Sequence, residues 1–280
     1  MVDFEIKDCY KFDDLLRIME ILRAPDGCMW DREQDHHSIR RNFIEETYED
    51  MSRRAADLIA AQLIVDPAST LGLATGSTPI GLYADLVEDF QADRISFEQV
   101  TTFNLDEYRG LSPEHDQSYR YFMQKNLFDH VDIDPEATSV PDGANPDAQA
   151  ACESYEQAIG EAGGIDLQLL GLGHNGHIGF NEPCDEFPVR THVVELTEST
   201  INANSRLFES IDQVPREAYT MGIGTIMKAR AILVVASGVD KAQIVRDAFF
   251  GPVTPQVPAS VLQLHPNVTV VVDAEAGSLL

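Results

Sequence analysis

The chain has 280 residues, 44% of them hydrophobic, which suits one large α/β domain or a domain with an appendage. A formal net charge of −27 excludes general nucleic-acid binding, because nothing would neutralise phosphates along a backbone. No segment approaches the apolar length of a membrane span, and Met1 to Asp14 lack the apolar run of a signal peptide, so a cytoplasmic location is expected. Cys9, Cys28, Cys152 and Cys184 are scattered without zinc-ligand spacing and read as unpaired thiols, with no metal site among them.

In chain order, Phe12, Leu15, Leu16, Met19 and Leu22 recur at helical spacing, and Pro25-Asp26-Gly27 ends that amphipathic helix. Trp30-Asp31-Arg32-Glu33-Gln34 follows, then His36 and His37, read as solvated helix residues, and later Glu45-Glu46-Thr47-Tyr48-Glu49. In these three features the stretch resembles the amino terminus of the MazG-like nucleoside triphosphate pyrophosphohydrolases. There E-E-x-x-E supplies half of a magnesium site, and a later E-x-x-D completes it. No glutamate occurs here between Glu49 and Glu88, so the second half is missing. Residues 1–40 are therefore expected to be a short helical extension without pyrophosphohydrolase activity, ahead of a domain over 41–280.

Asn42-Phe43-Ile44-Glu45 reads as that domain's first strand, with Thr47 capping a helix through Gln62. Thr70 to Ala74 is a short apolar strand, followed by Thr75-Gly76-Ser77-Thr78-Pro79, with Pro79 suited to a first helical position. Hydroxyls, a glycine and fresh helix amides make an anion nest fit for a phosphate. An ordinary hydroxyl-capped turn fits the same residues equally well. Gln99 to Asn104 reads as the next strand, ending in Leu105-Asp106-Glu107-Tyr108. Adjacent carboxylates there can serve as a general base, one tuning the other, although capping a turn is the commoner use. Asp129 to Asn145 is polar and proline-rich and reads as loop, and Ala148 to Ala162 as helix.

Asp166 to Leu170 is a buried strand that delivers Gly171-Leu172-Gly173-His174-Asn175-Gly176-His177-Ile178-Gly179-Phe180-Asn181-Glu182-Pro183. Polar side chains in such a turn stand at the carboxyl edge of a sheet, where open α/β folds bind ligands. Gly171, Gly173 and Gly176 fit the dinucleotide fingerprint, but that motif needs a helix from the third glycine, and Pro183 and Pro188 oppose one. Further on, Glu198 to Phe208 reads as helical, Ala218 to Ile223 and Ala231 to Ala236 as strands, then a helix carrying Lys241, and Val268 to Val272 as the last strand. Alternating strands and helices imply a doubly wound, mostly parallel sheet with helices on both faces, a Rossmann-like α/β fold.

Taken together, L-G-L-A-T-G-S-T-P at 71–79, T-T-F-N-L-D-E-Y at 101–108, G-L-G-H-N-G-H-I-G-F-N-E-P at 171–183, Val189-Arg190-Thr191-His192, Asn204-Ser205-Arg206, and Pro258-Ala259-Ser260 with Leu262-Gln263-Leu264-His265 closely resemble the glucosamine-6-phosphate deaminases. The resemblance implies conversion of glucosamine 6-phosphate and water to fructose 6-phosphate and ammonia, with no cofactor and a small sugar phosphate as partner. It implies His177 as the ring-opening acid–base, Glu182 and Asn175 assisting it, and Asp106 moving a proton from C2 to C1. Thr75, Gly76, Ser77, Thr78, Arg206 and Lys241 would hold the phosphate. Some members are hexamers activated by N-acetylglucosamine 6-phosphate through basic residues where this chain has His192 and Val194, so hyperbolic kinetics are expected; a homo-oligomer stays open. Two alternatives share the fold: a 6-phosphogluconolactonase, which needs no enolising base, and a non-catalytic sugar-phosphate-binding regulator.

Arginine outnumbers lysine fifteen to five, and the acidic excess suits a protein adapted to salt, where the screening length falls to ~3 Å at molar concentration. The thermal midpoint is expected to rise from dilute buffer to molar potassium chloride, measured by scanning calorimetry; a maximum in dilute buffer would identify an ordinarily acidic enzyme instead.

Overall fold

The computed structural model describes residues 42–198, 201, 205, 208 and 210–280. The extension read over 1–40, Arg206, and most of the helix read over Glu198 to Phe208 lie outside the described residues. Strand β1 (Asn42–Glu45) leads into helix α1 (Tyr48–Val65), where the Thr47 hydroxyl accepts the Asp50 amide at 3.1 Å, the expected cap. Met51, Ala55, Ile59 and Leu63 are all buried and turn one stripe of α1 inward.

Then come β2 (Thr70–Leu73), α2 (Ile80–Gln91), β3 (Thr101–Asn104), β4 (Asp106–Tyr108), α3 (Tyr119–Asn126), β5 (Thr138–Ser139), α4 (Ala148–Glu161) and β6 (Leu167–Gly171). The chain finishes through β7 (His192–Glu195), β8 (Glu217–Thr220), α5 (Ile223–Ile226), β9 (Ala231–Ala236), α6 (Ala242–Phe250) and β10 (Val268–Asp273). Seven strands form one sheet in the order β1-β10-β9-β6-β2-β3-β5, and every pair from β10 to β5 is parallel. Its strands are near-continuous apolar runs, as a sheet covered on both faces requires.

The winding reverses between β2 and β6. From β2 the chain steps outward through β3 and β5, then returns to the other side of β2 and steps outward through β9 and β10. A crevice is expected at the carboxyl ends of such a pair. Indeed β2 and β6 pair only through Leu71 with Leu167 and Gly72 with Gln168, whereas β6 stays paired with β9 along all five residues. The two strands that carry the 75–78 and 171–183 loops therefore part as those loops begin.

A second sheet, antiparallel in the order β4-β8-β7, was not expected. Asp106–Tyr108 does not prolong β3 but pairs with Thr220–Ala218 of β8. The strand expected over Ala218 to Ile223 ends at Thr220, because the Thr225 and Ile226 amides bond back to Gly222 O and start a helical turn. The proline-rich loop before Asn145 contains the edge strand β5, two residues long and too short to show a period.

Of the adjacent carboxylates, Glu107 is structural. It is 3% exposed and accepts the Tyr108, Tyr119 and Arg120 amides and the Ser118 hydroxyl at 2.7–3.0 Å, closing the amino terminus of α3. Burial holds its pKa above the usual carboxylate range, while these four donors pull it down. Glu107→Ala is expected to cost about 3 kcal/mol in urea denaturation by orphaning buried donors, with Glu107→Gln, which keeps one acceptor oxygen, costing less.

Candidate active site

The 171–183 segment owes its shape to main-chain bonds within a few residues. Gly173 N–H donates to His177 O at 2.9 Å and Gly176 N–H to Gly173 O at 3.0 Å, a tight turn that folds the His177 ring back over Gly173. A Cβ on Gly173 would lie 2.4 Å from that ring, so the position admits no side chain. No helix follows β6 before β7 among the described residues, which removes the dinucleotide reading on its own criterion.

Within this turn three predicted residues meet. Asn175 Nδ2 donates to Glu182 Oε2 at 2.5 Å, and Asn175 Oδ1 accepts the His177 amide at 3.2 Å. The other carboxylate oxygen, Oε1, stands 3.6 Å from His177 Nδ1. That separation is too long for a hydrogen bond, and Nδ1 is buried with no hydrogen-bond partner among the described residues. Such contacts are commonly long before a substrate closes them. Asn175 thus turns Glu182 toward the imidazole, and Glu182 is placed to fix which ring nitrogen carries the proton.

Asp106 comes from the second sheet. It is 6% exposed, and no described hydrogen bond reaches its carboxylate. Desolvation first, then the negative charge of Glu107, pushes its pKa up to about 8. Its Oδ2 lies beneath the 171–183 segment, 3.5 Å from where a Cβ on Gly179 would stand.

The 75–78 loop lies at the carboxyl end of the neighbouring strand β2. Thr75 and Thr78 are half-buried, Gly76 and Ser77 exposed, and none of the three hydroxyls is engaged among the described residues. The backbone is braced from behind by Tyr48, whose hydroxyl donates to Thr78 O at 3.0 Å and accepts the Gly81 amide at 2.9 Å. Sequence reading missed Tyr48, which falls at an unspecified position of the E-E-x-x-E stretch, beside the Thr47 cap. Pro79 sits one residue ahead of α2 rather than inside it. On the other side of β6, Lys241 donates to Leu172 O at 2.8 Å, and burial lowers its pKa. Beside it Asp240 meets His174 at 2.5 Å, which holds the Asp240 carboxyl below its ordinary range and ties the glycine turn to the loop after β9. Among the described residues no three His, Cys, Asp or Glu side chains cluster as metal ligands, and no helix is long and apolar enough to cross a membrane.

Comparison with known proteins bears on this arrangement. Residues 40–271 match the family of glucosamine-6-phosphate isomerases/6-phosphogluconolactonase. A glucosamine-6-phosphate deaminase of Halothermothrix orenii is 55% identical over 240 residues, covering 86% of this chain and 100% of that protein. A solved structure described as a monomeric glucosamine-6-phosphate deaminase is 46% identical with a TM-score of 0.83, over 86% of this chain and 100% of that one. A 6-phosphogluconolactonase from Trypanosoma brucei shares the fold at 20% identity and a TM-score of 0.67, over 86% of this chain and 98% of that one. The chain belongs to the glucosamine-6-phosphate isomerase/6-phosphogluconolactonase family.

Proposed function

We propose that the chain is a glucosamine-6-phosphate deaminase, an enzyme of amino sugar breakdown that yields fructose 6-phosphate and ammonia. The observation that carries this reading is a buried carboxylate, Asp106, that no hydrogen bond among the described residues reaches, beneath the turn that holds His177, Glu182 and Asn175. Ester hydrolysis does not require a base that takes a proton from carbon; moving a proton between two carbons does. The identity to relatives named deaminases, well above that to the lactonase, supports the same choice.

In this reading Thr75, Gly76, Ser77 and Thr78, with Lys241 and Arg206, hold the phosphate. His177, oriented by Glu182 and Asn175, passes a proton from the anomeric hydroxyl to the ring oxygen and opens the sugar. Asp106 then removes the C2 proton to give an enolamine and returns it to C1. Water adds to the resulting C2 imine, and ammonia leaves. The raised pKa makes Asp106 a strong base once ionised, and the substrate's own ammonium, on the carbon beside the proton removed, offsets its negative charge.

The remaining assignments are part of the proposal. The deaminase domain starts near residue 41, residues 1–40 form a MazG-like extension without pyrophosphohydrolase activity, and the protein works in the cytoplasm. Kinetics in glucosamine 6-phosphate are hyperbolic, since His192 and Val194 replace the basic residues of an activator site. Incubation with glucosamine 6-phosphate, 6-phosphogluconolactone and a nucleoside triphosphate, followed by assay of ammonia, acid and pyrophosphate, is expected to give ammonia alone.

Asp106→Asn is expected to abolish ammonia release while leaving phosphate-ligand affinity within about threefold; near-normal turnover would overturn the assignment. For the unaltered enzyme kcat/KM should rise with pH toward about 8, where free Asp106 ionises. Stability has the opposite sign. Folded Asp106 keeps its proton above the unfolded pKa of 3.8, so its contribution is full below that value and is lost as pH climbs to about 8. Asp106→Asn escapes this loss, and its stability advantage in denaturant melts should widen from about pH 4 to pH 8 and then level off.

A further inference from the structure

The proposed reaction needs Asp106 and His177 at a fixed separation, yet Asp106 stands on β4 of the antiparallel sheet and His177 on the loop after β6 of the parallel one. The bonds that join that loop to the Asp106 strand run through Thr220, the last residue of β8, and Met221, the residue after it. Thr220 lies directly opposite Asp106 in the β4–β8 register and is wholly buried. Its Oγ1 accepts the Phe180 amide at 3.0 Å, from the middle of the His177–Glu182 turn. Met221 N–H donates to Leu105 O at 2.7 Å, the carbonyl just before Asp106. The Met221 carbonyl in turn accepts Asn181 Nδ2 at 2.8 Å. The same Asn181 amide group donates to Ile178 O at 2.9 Å, closing the turn on itself, and Asn181 is 2% exposed.

Gly179 shows how closely the two halves are pressed together. Its φ is +59°, and a Cβ there would lie 2.8 Å from Thr220 Oγ1 and 3.5 Å from Asp106 Oδ2. The turn is therefore seated on the end of β8 beside Asp106, with side-chain bonds at the two residues that follow Gly179.

We propose that Asn181 and Thr220 are positioning residues that set the placement of Asp106 relative to His177 and Glu182, by anchoring the catalytic turn to the Thr220–Met221 end of β8. Neither touches the sugar; each acts through the group it holds. The inference rests on the deaminase reading above. Misplacement by about 1 Å can cost on the order of 100-fold in rate, and the loss should fall on the step Asp106 performs. Binding of the phosphate, at β2 and β9, is a separate matter.

The test uses the full chain with Asn181→Ala, Thr220→Val, Thr220→Ser and the Asn181→Ala/Thr220→Val pair. Each variant is assayed with glucosamine 6-phosphate and with the same sugar deuterated at C2. Asn181→Ala and Thr220→Val are expected to lower kcat about 10- to 100-fold with KM within about threefold, and to raise the C2 deuterium isotope effect on kcat. The pair should be little worse than the poorer single variant, because both remove one anchorage. Thr220→Ser, which keeps the acceptor, should recover most of the loss. A merely structural role would reduce the folded fraction and leave the isotope effect unmoved. An unchanged isotope effect, or full activity in near-isosteric Thr220→Val, overturns the proposal even if Asn181→Ala does not fold. Failure of the unaltered chain to release ammonia would instead overturn the deaminase reading and this inference with it.

Discussion

A carboxylate taken out of water normally finds a cation or several N–H donors, and the fold supplies neither to Asp106 among the described residues. Glu107, its neighbour, shows what the ordinary solution looks like, with four donors closing around it. Successive residues of a strand face opposite sides, so β4 turns Glu107 onto the start of α3 and Asp106 under the glycine turn. Much of the site's architecture follows from keeping that second face dry while leaving it open to a ligand. The short antiparallel sheet, the close seat of Gly179 and the aromatic packing of Tyr108 against Phe180 all wall in the same space.

The two sheets divide the work. The parallel sheet opens a crevice where β2 and β6 part, and sets the 75–78 loop, the glycine turn and Lys241 on three consecutive strands. The antiparallel sheet brings Asp106 beneath the glycine turn at that edge. In a chain of net charge −27, a bound anion depends on such local arrangement, because the long-range field opposes it. The 75–78 loop offers three hydroxyls unengaged among the described residues, and the half-buried Lys241 ammonium lies on the other side of β6.

The parts of the fold that were legible in the sequence are those with a local cause. The Thr47 cap, the buried strands ending at Leu73, Gly171 and Ala236, and the lack, among the described residues, of a helix between Gly176 and β7 follow from neighbouring residues alone. So does the meeting of Asn175, His177 and Glu182, which one glycine turn confines. The antiparallel sheet was not legible, because β4 is three residues long and its partner β8 lies more than a hundred residues later. Tyr48, Asn181 and Thr220 were missed for a related reason. Each makes a bond to a distant or irregular main-chain group, and nothing in its own neighbourhood announces that bond.

Met221 carries this furthest. Its side chain is fully buried core, while its peptide groups hold Leu105 on one side and Asn181 on the other. The joint between the two sheets is thus made of main chain at a position whose side chain has only to fill space. Substitution by another apolar residue of similar volume leaves both bonds in place, so a side-chain scan along β8 would pass over the residue as mere packing. Replacing single backbone amides by esters would find it, and the site's geometry can persist while the letter at this position drifts.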